Sequence, residues 1–169
     1  MADKLQRIVE YRVLLGRANR RPPELTSDER GRFERLRQQL PLQVPTLDER
    51  DPYTSLAEPM AVEFAQAGGR FTVGVLRNVS AGGFAIEVAE PPPLGAPLIL
   101  HVHDRRNGLA YAFPCRVMSR VVRGTQGFSV EFEGAPSQTR IATGLSGVFS
   151  ATEPAMPAAP GPRKQRDSA

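Results

Sequence analysis

Apolar residues recur at helical spacing at the start of the chain. Leu5, Ile8, Val9, Arg12 and Leu15 fall on one side of a helix with 3.6 residues per turn, which makes a mostly apolar stripe. The stretch "NRRPPE" then interrupts the pattern, because proline lacks the backbone amide and restricts the residue before it. The pattern therefore predicts one amphipathic helix that ends before these prolines.

A second helix is predicted after the prolines, in "LTSDERGRFERLRQQL". Thr26 and Glu29 have the spacing of a capping box, in which each side chain bonds to the backbone amide of the other residue. Together the two helices predict a helical hairpin over residues 1–40.

The second helix carries a narrow apolar stripe of Phe33, Leu36 and Leu40. Such a stripe is buried in stable proteins, either against the rest of the chain or against another molecule. We treat these three residues as a candidate interaction surface, through which a protein partner or a second copy would dock. Whether the helices cap the rest of the chain or dimerise is left open by the pattern.

After a Pro-rich polar connector, residues 41–57, the hydrophobic period changes to two. Six segments show this alternation: "MAVEFAQ", "RFTVGVL", "GFAIEVA", "LILHVH", "LAYAFPCRVMSRVVR" and "GFSVEFE". One face of the first three is apolar through Val62 and Phe64, through Phe71, Val73 and Val75, and through Phe84, Ile86 and Val88. Turns separate the segments, so the pattern predicts a mainly β domain over residues 58–150, either an antiparallel barrel or a sandwich.

The sequence pattern predicts less regular structure at the end of the chain. "TRIATGLSGVFS" predicts a short helix with Ile141, Leu145 and Val148 on its inner side, weakened by two glycines. Residues 151–169 are rich in Pro and Ala and have almost no large apolar side chains. Such a segment cannot bury enough apolar surface to fold, so we predict a disordered tail.

Composition excludes several classes of protein. No apolar run approaches the roughly 20 residues that cross a bilayer, and the N-terminus lacks the apolar core of an export signal. Cys115 is the single cysteine, so no internal disulfide forms and a cytoplasmic protein is the simplest expectation. Residues 1–50 hold 11 basic and 8 acidic residues and residues 51–150 hold 8 of each. Because this charge is interleaved, we expect no binding to a nucleic-acid polymer.

The most informative stretch is "RNVSAGGFAIE", which lies between two predicted strands. Asn78 and Ser80 bond to the local backbone in many turns, and glycine relaxes the backbone there. The same groups would also present a hydroxyl, an amide and close backbone to a bound anion. The residues alone leave both interpretations open, with the turn favoured.

In its strand context this stretch resembles the Asp/Asn-x-Ser-x-x-Gly motif of the PilZ domain, matched by Asn78, Ser80 and Gly83. "EPPPLGAPLILHV" and "VRGTQGFSVEFEG" resemble a proline turn and a late hairpin of the same family. The resemblance implies a six-stranded antiparallel barrel with a C-terminal helix. It also implies a bacterial signalling module whose best-studied members bind cyclic di-GMP, at these three residues.

The chain departs from the family's second motif, Arg-x-x-x-Arg. Arg50 is present, but Thr54 stands at the second arginine position, and Asp48, Glu49 and Asp51 flank it. Two guanidinium groups would grip the phosphates of the nucleotide, whereas three carboxylates repel them. The literal matches Arg17/Arg21 and Arg116/Arg120 occur at the frequency that chance gives in a chain with 20 arginines.

We therefore expect a non-enzymatic adaptor with weak or absent cyclic di-GMP binding, acting through protein partners in motility, polarity or surface behaviour. The alternative is a functional cyclic di-GMP receptor that uses Asn78, Ser80, Gly83 and either Arg50 or N-terminal arginines. No cofactor is expected, and cyclic di-GMP is expected to be a weak ligand at most.

Other chemistry is weakly indicated. His101 and His103 share a strand face, but no Cys or third His joins them, so we expect no metal site. Ser80 lacks the preceding glycine of a nucleophile elbow, and Cys115 is typical of a small buried side chain. No catalytic residue is predicted.

Overall fold

The protein is described by a computed structural model that covers residues 2–47, 54–65, 69, 71–122 and 124–141. Arg50 lies outside the described residues. The predicted tail, 151–169, and most of the predicted C-terminal helix also lie outside them.

Two helices open the chain, as predicted: α1, Ala2–Ala18, and α2, Ser27–Gln39. The capping box at the start of α2 is confirmed. The Glu29 amide donates to Thr26 Oγ1 at 3.3 Å, and the Thr26 amide donates to Glu29 Oε2 at 2.9 Å. These bonds satisfy two of the amides that a helix N-terminus leaves without a partner.

The helices pack against each other as a hairpin. The rings of Tyr11 and Phe33 stack with centroids 5.4 Å apart. Arg17 of α1 forms an ion pair of 2.5 Å with Glu29 of α2. The Arg12 guanidinium lies 5.3 Å from the Phe132 ring centroid and donates to the carbonyls of Phe132 and Gly134 at 3.1 Å. The hairpin is thus fixed to the rest of the chain mainly through α1.

Seven antiparallel strands follow among the described residues. They are β1, Ser55–Ala65; β2, Phe71–Val79; β3, Gly83–Glu87; β4, Pro97–Asp104; β5, Leu109–Val121; β6, Gly127–Phe132; and β7, Ser137–Arg140. The order is β4-β1-β2-β3-β6-β5, and β5 also pairs with β4. That last pairing closes the first six strands into a barrel, so of the two predicted arrangements the barrel is confirmed.

An aromatic cluster fills part of the barrel. Phe84, fully buried, meets Phe113 and Phe132 edge to face, with ring centroids 4.8 and 4.7 Å away. Val62 and Phe64 also point inward, as their alternation predicts. Buried aromatic pairs of this geometry stabilise a core beyond the area that they bury.

The inner face of β2 differs from the expectation. Phe71 and Val73 do share a face, but they are 70% and 63% exposed, so that face is the outer one. The cause is register: β1 buries Val62 and Phe64, and its outward Glu63 pairs with Val73. Gly74 takes the inward place, where a Cβ would lie 2.7 Å from the Ile86 side chain.

Two boundaries also differ from the sequence predictions. β1 begins at Ser55, inside the predicted connector. Thr139 and Arg140, placed in the predicted C-terminal helix, are extended and belong to β7. They pair with the first part of β5, Leu109–Ala112, which lies beyond the section that pairs with β6. An available strand edge therefore outweighs the weak helical pattern.

Candidate ligand site at the β2–β3 turn

The turn between β2 and β3 is organised by one hydroxyl. Ser80 is fully buried, and its Oγ accepts from the amides of Gly82 and Gly83, both at 3.1 Å. The same hydroxyl donates to the carbonyl of Gln43 at 2.6 Å. A serine at this position therefore closes the turn and also holds a distant part of the chain.

That distant part is a segment of the connector, residues 41–47, which we call the strap. Asn78 Nδ2 donates to the Thr46 carbonyl at 2.6 Å, and Ser129 Oγ of β6 donates to the Pro45 carbonyl at 2.7 Å. The amide of Ala81 donates to the Pro41 carbonyl at 2.8 Å. The strap thus lies across the turn and is held through its own backbone carbonyls.

Both glycines of the turn are required by close backbone approach. A Cβ on Gly82 would lie 2.1 Å from the Leu42 carbonyl oxygen, which belongs to the strap. A Cβ on Gly83 would lie 1.8 Å from the Val130 carbonyl oxygen, which belongs to β6. Gly82 therefore permits the strap to dock, whereas Gly83 permits β3 to pair with β6.

Three of the four predicted ligand-binding residues, Asn78, Ser80 and Gly83, thus lie together at one corner of the barrel. Ser129 was not predicted from the sequence. It alternates with the core residues Phe128 and Val130, so it lies on the outer face of β6. A serine on an outer face gives no signal of a site, and Ser129 is buried because its hydroxyl meets the strap.

The arginines of the two literal Arg-x-x-x-Arg matches are occupied in part by other contacts. Arg17 pairs with Glu29 and donates to the Glu24 carbonyl at 2.6 Å. Arg116 pairs with Glu133 at 2.5 Å, and Arg120 donates to the Pro91 carbonyl at 2.9 Å. None of these four contacts involves the β2–β3 turn.

Residues 29–144 match the sequence profile of a known family, described as "PilZ domain". The chain belongs to the PilZ domain family. The match includes the strap, the β2–β3 turn and all seven strands. A solved structure, the PilZ domain with c-di-GMP of YcgR from Escherichia coli, is similar at 19% identity and a TM-score of 0.38. That similarity covers 50% of this chain and 79% of the YcgR chain. A comparison with curated proteins found no match.

The apolar stripe of α2 in this PilZ protein is turned inward. The side chains of the stripe are buried: Phe33, Leu36 and Leu40 are 9%, 6% and 7% exposed. The structure therefore assigns these side chains to the core rather than to a docking surface, because α1 and the barrel provide enough apolar area to cover them. A partner would reach them only if the hairpin opened.

Exposed apolar side chains lie instead on the outer wall of the barrel. Glu63 of β1 faces outward and pairs with both Val73 and His101. Phe71 lies two positions before Val73 on β2 and is 70% exposed. Ile99 lies two positions before His101 on β4 and is 54% exposed.

The remaining candidates from the sequence are the two histidines and Cys115. His103 lies 3.9 Å from Glu63, and no group of three metal-binding side chains occurs among the described residues. Burial, with a smaller contribution from Glu133, raises the pKa of the Cys115 thiol to about 12, so the reactive thiolate is suppressed. No helix in the described part of the chain is long and apolar enough to span a membrane.

Proposed function

We propose that this protein is a non-enzymatic bacterial signalling adaptor built on a PilZ domain, with weakened or absent binding of cyclic di-GMP. It acts through contacts with protein partners in the control of motility, polarity or surface behaviour. The observation that carries the proposal is that the side chains of the motif already bind another part of the chain. Asn78 and Ser80, the side chains that would meet the nucleotide, already donate to the Thr46 and Gln43 carbonyls at 2.6 Å.

Charge supports the same proposal. A cyclic dinucleotide carries two phosphate charges, which bidentate arginines neutralise best. Arg77, next to the motif, is paired with Glu87 at 2.7 Å, and the sequence around Arg50 is acidic. The loss of one buried charged contact costs about 3 kcal/mol, roughly a hundredfold in affinity.

Exposed apolar side chains support the part of the proposal that concerns protein contacts. Phe71, Val73 and Ile99 are each more than half exposed on the outer wall of the barrel. Neighbouring apolar side chains on the surface of a folded domain are typical of contact surfaces.

The test compares thermal unfolding with and without excess cyclic di-GMP, together with calorimetric titration. A ligand that prefers the folded state raises the midpoint, so we expect little or no shift and no sub-micromolar affinity. A large shift that Ser80→Ala or Arg50→Ala removes would instead establish a nucleotide receptor and refute the proposal.

A further inference from the structure

We infer that the strap, residues 41–47, is a built-in occupant of the β2–β3 turn that competes with external ligands, and that Ser129 controls its release. This inference rests on the proposed function in one respect: it gives the cause of the weakened binding. It assigns a role to Ser129, a residue of β6 that is not part of the family motif.

Three side-chain donors on the barrel hold the strap, in addition to the Ala81 amide. Ser80, Ser129 and Asn78 are 0%, 3% and 4% exposed. They bind consecutive or nearly consecutive carbonyls of the strap, those of Gln43, Pro45 and Thr46 (in chain order), at 2.6, 2.7 and 2.6 Å. Buried donors placed to match one stretch of backbone constitute a binding site, and the strap is its ligand.

The strap and an external ligand compete because the Ser80 hydroxyl has a single proton to donate. A hydroxyl has one proton to donate, and Ser80 donates it over 2.6 Å to Gln43, whereas the Gly83 carbonyl is 3.3 Å away. Ser129 donates its own proton to Pro45. A phosphate or guanine oxygen would meet the Ser80 proton only after the strap had left. Ligand access is therefore set by the fraction of molecules in which the strap is open.

The strap is built to open locally. Leu42 is 47% exposed and Gln43 and Thr46 are also exposed, whereas Pro45 is buried and Val44 and Leu47 are half-buried. The strap is attached by hydrogen bonds to its backbone and by the burial of Pro45. The hairpin is fixed separately, by Arg12 and the apolar residues of α1. Segments with few buried apolar contacts open at lower free energy than the whole domain.

The decisive variant is Ser129→Ala, measured by hydrogen exchange in the absence of nucleotide. The Ala81 amide reports strap opening, because its acceptor is the Pro41 carbonyl. The loss of one hydrogen bond is expected to raise the open fraction, and hence the exchange rate at Ala81, roughly fivefold. Amides in the β6 ladder should keep their rates. Unchanged exchange at Ala81, or a rise shared equally with β6, would overturn the inference.

Two further variants guard against a general loss of stability. Ser119 is the register partner of Ser129 on β5, so Ser119→Ala removes the same group from the neighbouring strand and should leave Ala81 unchanged. Gly82→Ala places a Cβ 2.1 Å from the Leu42 oxygen and should expel the strap by a steric route. Both Ser129→Ala and Gly82→Ala must accelerate Ala81 for the inference to hold.

Calorimetric titration with cyclic di-GMP then separates this inference from the proposed function. When the open state is rare, affinity rises in proportion to its population, so Ser129→Ala should bind roughly fivefold more tightly than the unaltered protein. Sub-micromolar binding by the unaltered protein would refute the proposed function. Equal affinity of the two proteins, including no binding by either, would overturn the competition and leave the weakened binding intact.

Discussion

The barrel and the strap meet at the β2–β3 turn, and they are stabilised in different ways. The barrel has six strands in a closed ladder around a buried aromatic cluster. The strap is held by a small number of hydrogen bonds to its backbone, and only Pro45 among its seven residues is buried. Apolar burial makes the barrel one cooperative unit, whereas a segment held by polar contacts can open alone. Gly83 lies on the barrel side of this boundary and Gly82 on the strap side.

The largest expected effect tests the cooperativity of the barrel. Phe84→Ala removes a fully buried ring that meets Phe113 and Phe132, so we expect a loss of about 3–5 kcal/mol in the free energy of unfolding. Urea denaturation followed by circular dichroism measures it. Phe71→Ala is the matched control on the outer wall, with an expected change within about 0.5 kcal/mol. Equal losses would mean that the assigned inner and outer faces are wrong.

The next effect compares the two sides of the turn directly. Gly83→Ala forces a Cβ against the Val130 oxygen inside the ladder, so we expect a loss of about 2–3 kcal/mol. Gly82→Ala meets only the strap, which can move away, and should cost about 1 kcal/mol. Denaturation gives both values, and a reversed order would contradict the division between barrel and strap.

A smaller effect is expected in the hairpin. Thr26→Ala removes the hydroxyl that accepts from the Glu29 amide, which should lower the free energy of unfolding by about 1 kcal/mol. Ser27→Ala, one position further on, is the control and should change it little. If both variants behave alike in denaturation, the capping box does not stabilise α2.

The smallest effect is a pH dependence of the same capping box. The Thr26 amide, followed by Arg17, lowers the pKa of Glu29 below its ordinary value of 4.5. Its stabilising contribution is therefore present above pH 4.5 and is lost as the pH falls through the lowered value. The thermal midpoint should fall more between pH 6 and pH 3 in the unaltered protein than in Glu29→Gln. An identical fall in the two proteins would show that this carboxylate does not contribute.

Local features of the sequence determined much of the fold. The spacing of apolar residues and the Thr26/Glu29 pair predicted both helices, because a helix and its cap are formed by neighbours in the chain. Period-two alternation predicted all six barrel strands. The motif residues Asn78, Ser80 and Gly83 lie within six positions of one another, so any turn there brings them together.

Tertiary structure alone decided which partners those residues meet. The outward placement of Phe71 depends on its register against β1, and register is a relation between segments that alternation does not specify. The inward turn of the Phe33 stripe depends on the apolar area that α1 and the barrel provide. The strap is recognised through the carbonyls of Gln43, Pro45 and Thr46. Every residue has a carbonyl, so nothing in the sequence distinguishes those that Ser80, Asn78 and Ser129 bind, and only the folded chain selects them.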